Sequence, residues 1–148
     1  MPVQPVPPEK SWLALIVDDH TYMRGLIRTM LQQIGIKNAE EFENGENCLK
    51  RIQNKDAPRP DLIIIDWHMQ GMDGYTFCNT VRLDKDLRAK AIPIIMVTGE
   101  KDRMLLEQAW DMGVKAVLNK PVSLPKLKEA IYHAIGVAAP VEIRKPGE

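Results

Sequence analysis

The feature that most constrains this chain is an alternation of short apolar runs with helical stripes. Trp12-Leu-Ala-Leu-Ile-Val17, Leu62-Ile-Ile-Ile65 and Ile92 to Val97 are unbroken apolar segments, each only a few residues long. Such runs suit strands buried on both faces, because a half-exposed strand would alternate apolar with polar residues. Between them lie helix-spaced stripes. Met23, Leu26, Ile27, Met30, Leu31 and Ile34 mark a first helix that Gly35 is placed to stop. A weaker strand at 39–42 and a second helix at 46–53 follow, and Pro58-Arg-Pro60 reads as a loop. Asp73-Gly74 opens a third helix, with Phe77 and Val81 facing inward. Leu105, Ala109 and Met112 stripe a fourth helix ended by Gly113. Val114 to Leu118 is a fifth strand, and Leu124, Leu127, Ile131 and Ile135 mark a fifth helix. Five βα units in succession predict an α/β domain, a doubly wound parallel sheet with helices on both faces.

One domain accounts for the length, 148 residues. The alternation occupies 12–137, and the proline-bearing ends, 1–11 and 138–148, read as flexible tails. Lysine plus arginine balances aspartate plus glutamate at 20 each, so no electrostatic pull toward nucleic acid or acidic lipid is expected. No apolar run is long enough to span a bilayer, and the N-terminal segment has no signal-peptide core, which predicts a cytoplasmic protein. Cys48 and Cys78, 30 residues apart without a C-x-x-C pattern, read as reduced, partly buried thiols. No glycine-rich nucleotide-binding motif occurs.

In open parallel sheets, ligands bind beyond the carboxyl ends of the strands. There the chain places Asp18-Asp19 after the first strand and Asp66 after the third. Thr98-Gly99 follows the fourth strand and Asn119-Lys120-Pro121 the fifth. Neighbouring strands lie about 4.8 Å apart, and two carboxylates roughly 5 Å apart repel by roughly 3 kcal/mol at an effective dielectric of 20. The cluster therefore calls for positive charge from Lys120, from a cation, or from both. Oxygen-only ligands on a hydrated edge suit magnesium, and the absence of clustered Cys or His argues against zinc. A carboxylate beside a divalent ion and a lysine is a nucleophile suited to phosphoryl transfer, with Thr98 able to donate a hydrogen bond to a phosphoryl oxygen. His20, His68 and His133 fall on separate elements without ligand spacing and read as solvated or loop histidines. Each acid taken singly has a plainer reading; Asp19, for instance, could cap the next helix. Trp67 is expected near the acceptor, and Trp110 equally at the surface or facing a partner.

On these motifs the chain resembles the receiver domain of two-component response regulators, and within that family the single-domain, CheY-like chemotaxis type. Ile16-Val17-Asp18-Asp19 is similar to the family's acidic pair, and Asp66-Trp-His-Met-Gln-Gly-Met-Asp-Gly74 to its phosphoacceptor loop. Met96-Val-Thr-Gly99 and Asn119-Lys-Pro121 match its hydroxyl and lysine motifs. The resemblance implies a flavodoxin-like (βα)5 fold, three layers deep, with strand order 2-1-3-4-5. It also implies that Asp66 is phosphorylated by a histidine kinase or histidine phosphotransfer protein, with Thr98 and Lys120 gripping the phosphoryl group. Asp19, Asp66 and the backbone carbonyl of His68 would bind Mg2+, or Mn2+ in its place, with Asp18 assisting through water. The Lys120–Pro121 peptide would be cis. His68 and Glu100 would tune dephosphorylation. Output would pass to a target protein at the face of the fourth helix, fifth strand and fifth helix, the chain catalysing only its own phosphorylation and dephosphorylation.

Three positions depart from the family pattern. Val117 stands at the switch position where Tyr or Phe is usual, so activation by an aromatic rotamer flip is not assumed. Gln70 stands where proline is common, which loosens the loop. Lys115-Ala116 replaces the acidic pair of the DNA-binding regulators, which weakens any expectation of their dimer. Two other readings stand beside a phosphorylated switch: a receiver used purely as a binding scaffold, and a magnesium-dependent phosphatase with an aspartyl intermediate. Haloacid-dehalogenase-type phosphatases usually carry a second Asp two residues after the nucleophile, where this chain has His68. A receiver cut from a larger kinase or regulator is a further reading, which the initiating Met1 disfavours.

Overall fold

A computed structural model describes residues 11–85 and 91–136. The element order is β1 (Leu13–Val17), α1 (Thr21–Ile34), β2 (Asn38–Phe42), α2 (Gly45–Gln53), β3 (Leu62–Asp66), α3 (Gly74–Arg82), β4 (Ile94–Thr98), α4 (Arg103–Asp111), β5 (Ala116–Asn119) and α5 (Leu124–Ile135). All neighbouring strands pair in parallel, in the order β2-β1-β3-β4-β5. The predicted tails lie outside the described residues, except for Ser11, whose hydroxyl accepts from Asn38 Nδ2 at 2.7 Å.

The pleat sorts the apolar runs into two cores. Ala14, Ile16, Leu62, Ile64, Ile95 and Val97 face one side and pack with Ile27 and Leu31 of α1 and Leu127 and Ile131 of α5. Leu15, Val17, Ile63, Ile65, Ile94 and Met96 face the other, against Cys48 of α2, Phe77 of α3 and Ala109 of α4. Parallel crossovers keep one hand. The chain steps from β1 to β2 in one direction, then from β2 to β3 and on to β5 in the other, so α1 is carried to the face opposite α2, α3 and α4. The directions diverge between β1 and β3, and a crevice opens at their carboxyl ends.

Local chemistry fixes the boundaries. Gly35 closes α1 with φ 113°, a left-handed conformation that side chains disfavour. Asp73 caps α3, its side chain accepting from the Thr76 amide at 2.8 Å. β2 reads weakly because it is the edge strand, with Glu40 and Glu41 outside the core. β4 starts two residues after Ile92, because Pro93 has no amide to donate to the ladder, though its carbonyl accepts from Ile63 N. β5 starts at Ala116 rather than Val114, since the Val114 amide is still held by the Ala109 carbonyl at the end of α4. That helix ends at Asp111, with Gly113 just beyond its cap.

Candidate functional site

Asp66 is the last residue of β3 and only 4% exposed, lying beside Val97 of β4. Asp18 follows β1 and is 1% exposed, with its amide held by the Phe42 carbonyl. Two nearly buried carboxylates thus sit on adjacent central strands. Lys120 bridges them, its Nζ donating to Asp66 Oδ2 at 3.0 Å and to Asp18 Oδ2 at 3.3 Å. The lysine is held there by its own amide, which donates to the Thr98 carbonyl at 2.9 Å; the following peptide to Pro121 is cis. Thr98 is fully buried, and its hydroxyl accepts from the Glu100 amide at 2.9 Å, leaving its proton free to donate.

Burial pushes the Asp66 carboxyl above the usual carboxylate range, and Lys120 opposes that rise. For Lys120, burial works against the ammonium, but the hydrogen bond and charge of Asp66, with Asp18, more than compensate and raise it. The site is short of positive charge even with the lysine in place. Ligand atoms of Asp18, Asp19, His20 and Asp66 lie within 4.8 Å of one another. Three carboxylates this close form a hard-oxygen donor set that fits a divalent cation of the magnesium type.

Asp19 does not cap α1. The N-cap is His20, without a side-chain cap bond, and Asp18 Oδ1 instead accepts from the His20 amide at 2.8 Å. Asp19 is left free to face the cluster. His20 is exposed in the loop before α1, in keeping with its reading as a solvated or loop histidine, and its Nδ1 lies 2.9 Å from Asp19 Oδ1 and 3.1 Å from Asp18 Oδ1. His68 is also engaged, with Nε2 2.7 Å from Glu100 Oε2 across the mouth of the site, while its amide donates to Asp66 Oδ1 at 3.3 Å. Glu100 is held below the usual range, first by the Asp102 amide and then by His68. His133 is exposed on α5, as expected.

Val117 is half-buried on β5 opposite Met96, packed against the second core. Trp67 is buried beside the acceptor, its ring 6.3 Å from that of Tyr75. Trp110 is not a simple surface residue: it packs against the second core with its indole nitrogen buried. Cys48 and Cys78 are buried free thiols, each pushed up by burial, Cys78 to about 12.

Gly74 is required by close approach. A Cβ there would sit 2.9 Å from Trp67 Cα and 3.1 Å from the Asp66 carbonyl oxygen.

These findings coincide with a match of residues 14–132 to the response regulator receiver domain. The chain belongs to that family. Among curated receivers it is 32% identical over 122 residues to chemotaxis protein CheY-3 of Vibrio cholerae, covering 82% of this chain and 90% of the relative. It is 35% identical over 117 residues to chemotaxis protein CheY of Pseudomonas aeruginosa, covering 79% and 90%. Among solved receivers, one from Pseudomonas putida superposes with a TM-score of 0.73 at 31% identity, covering 82% of this chain and 96% of that one. The Vibrio cholerae regulator CheY4 gives 0.73 at 27% identity, covering 84% and 99%. The flavodoxin-like fold and the 2-1-3-4-5 order expected of a receiver are therefore present.

Three residues with structural roles in this receiver were not singled out from sequence. Arg24 Nη1 donates to the Asp18 carbonyl at 2.6 Å, and Arg24 and Arg28 both pair with Glu41. Their i, i+4 spacing opposite an acidic edge strand was the available signal. Glu46 accepts from the Met72 amide and so braces the acceptor loop. No local pattern announces that contact.

Among the described residues, no helix is long and apolar enough to cross a membrane.

Proposed function

We propose that this receiver is a phosphorylation-controlled switch that accepts a phosphoryl group on Asp66. The observation that carries the reading is the position of Lys120 Nζ, 3.0 Å from the Asp66 carboxylate and 3.3 Å from Asp18. An Asp66 oxygen attacks phosphorus in the donor, a phosphohistidine or a small acyl phosphate, and the P–N or P–O bond to the leaving group breaks. Lys120 and the Thr98 hydroxyl hold the transferred phosphoryl oxygens. Asp18, Asp19 and Asp66, with the His68 carbonyl, would hold Mg2+ or Mn2+, which neutralises charge on the phosphoryl group. Water later hydrolyses the acyl phosphate, and His68 and Glu100 at the mouth set how fast. Such a chain turns over only its own acyl phosphate and is not otherwise an enzyme.

Phosphorylation then biases an inactive–active equilibrium. Moving a population from 1:99 to 99:1 takes about 5.5 kcal/mol of preference, within reach of a dianionic group held by a metal ion and Lys120. The donor is a histidine kinase or histidine phosphotransfer protein, and the target docks on the α4-β5-α5 face. The chemotaxis proteins among its relatives support a chemotaxis pathway, and the free thiols fit a cytoplasmic setting.

Incubation with acetyl phosphate and Mg2+ tests the reading by mass spectrometry. One phosphoryl group should be gained, and it should be absent without Mg2+ and in Asp66→Ala. Labelling that persists in Asp66→Ala would remove Asp66 as acceptor. Equal partner affinity with and without beryllofluoride would instead favour a binding module that never uses phosphate.

A further inference from the structure

The acidic site has two sides that differ in chemistry. On one, Lys120 Nζ occupies the Oδ2 atoms of Asp18 and Asp66. On the other, His20 Nδ1 meets the Oδ1 atoms of Asp18 and Asp19, at 3.1 and 2.9 Å. One imidazole nitrogen thus converges with two carboxylate oxygens. As they stand these are hydrogen-bond and ion-pair separations, and ligand atoms of Asp18, Asp19, His20 and Asp66 all lie within 4.8 Å of one another. An octahedral first-row divalent ion with bonds of about 2.1 Å sets adjacent ligand atoms roughly 3 Å apart, so His20 Nδ1 and Asp19 Oδ1 are already spaced to share one. The His20 ring is 66% exposed, and its backbone is fixed by the Asp18 carboxylate immediately before α1 begins.

We infer that His20 is a metal ligand of this site, adding one nitrogen to the carboxylates and shifting its preference from Mg2+ toward manganese and the later first-row divalent ions. The inference rests on the reading of Asp18, Asp19 and Asp66 as a divalent-cation site. Magnesium gains little from imidazole, whereas affinity for nitrogen donors rises steadily from manganese through nickel. A receiver whose acids are joined only by oxygen ligands lacks that gradient. His20 makes this one selective by ligand type, in a pocket whose oxygen donors alone discriminate weakly.

Electron spin-echo measurements on the full chain with bound Mn2+ test ligation directly. Modulation from one imidazole nitrogen is expected in the unaltered protein and in His68→Ala, and should vanish in His20→Ala. His20→Asn is the second variant, keeping a polar residue at the helix N-cap should the alanine variant fold poorly. In parallel, titrations followed by Trp67 fluorescence should show Ni2+ affinity falling by at least about tenfold in both His20 variants, with Mg2+ affinity changed by less than about threefold. Mn2+ binding without nitrogen modulation, or modulation that survives loss of His20, overturns the inference while leaving the carboxylate site intact. Failure of the unaltered protein to bind Mn2+ or Mg2+ overturns both.

Discussion

The floor of the site and its rim obey different rules. Asp18, Asp66 and Thr98 are all buried and fixed by strand ends, and the partly exposed Lys120, just after β5, is held by the Thr98 carbonyl at the end of β4. Their positions follow from sheet register, and none can move without disturbing two cores. Asp19, His20, His68 and Glu100 sit at exposed loops and helix starts, held by each other and by nearby amides. The floor stores electrostatic tension that the fold must tolerate. The rim stores almost none. On the proposed function, the floor would carry the chemistry and the rim would set its rate and ion preference.

The sharpest way to break the comparison is at Lys120. Lys120→Met should leave two buried carboxylates without a counter-charge and cost about 2–3 kcal/mol in metal-free urea unfolding, the partial exposure of the lysine keeping the loss below that of a fully buried pair. Added Mg2+ should recover much of the loss. An unchanged midpoint would mean that the floor carries no tension.

Asp66→Asn should act in the opposite direction and more weakly. The folded pKa of Asp66 lies above the unfolded one, so its ionised form is disfavoured by folding. The penalty is fully present above the folded pKa and disappears as pH falls toward the ordinary value of 3.8. The variant should therefore melt a few degrees higher at neutral pH without metal, with the gain shrinking on acidification. Parallel melting curves across that range would refute the assignment.

At the rim, stability should barely register. His68→Ala removes an exposed pair with Glu100 and should leave the unfolding midpoint nearly unchanged. The lifetime of the phosphorylated form, followed by loss of label after donor removal, should nevertheless change severalfold. A large stability loss with an unchanged lifetime would reverse the roles drawn here.

Legibility in the sequence divides along the same line. The floor was readable because each residue ends an apolar run, and a buried parallel strand exposes only its termini. Lys120 needed the further fact that strand five lies beside strand four and four beside three, which the family resemblance supplied. The rim was less readable. Whether His20 turns toward Asp18 and Asp19 depends on which residue begins α1, and Asp19 was an equally good cap on sequence grounds. Arg24, Glu46 and the His68–Glu100 pair depend on side-chain reach across loops, which spacing does not encode. The strand boundaries at Ile94 and Ala116 shifted because Pro93 and the tail of α4 alter local hydrogen bonding, a competition invisible to hydrophobic pattern.

The double anchoring of Lys120 has a mechanical consequence. Its backbone is tethered to the Thr98 carbonyl while its ammonium rests on Asp66, so the residue spans the acceptor and the carboxyl ends of β4 and β5 like a crossbar. A group lodged between that ammonium and the aspartate would have to displace the bar, and the main chain at the carboxyl ends of β4 and β5 is the first it would load.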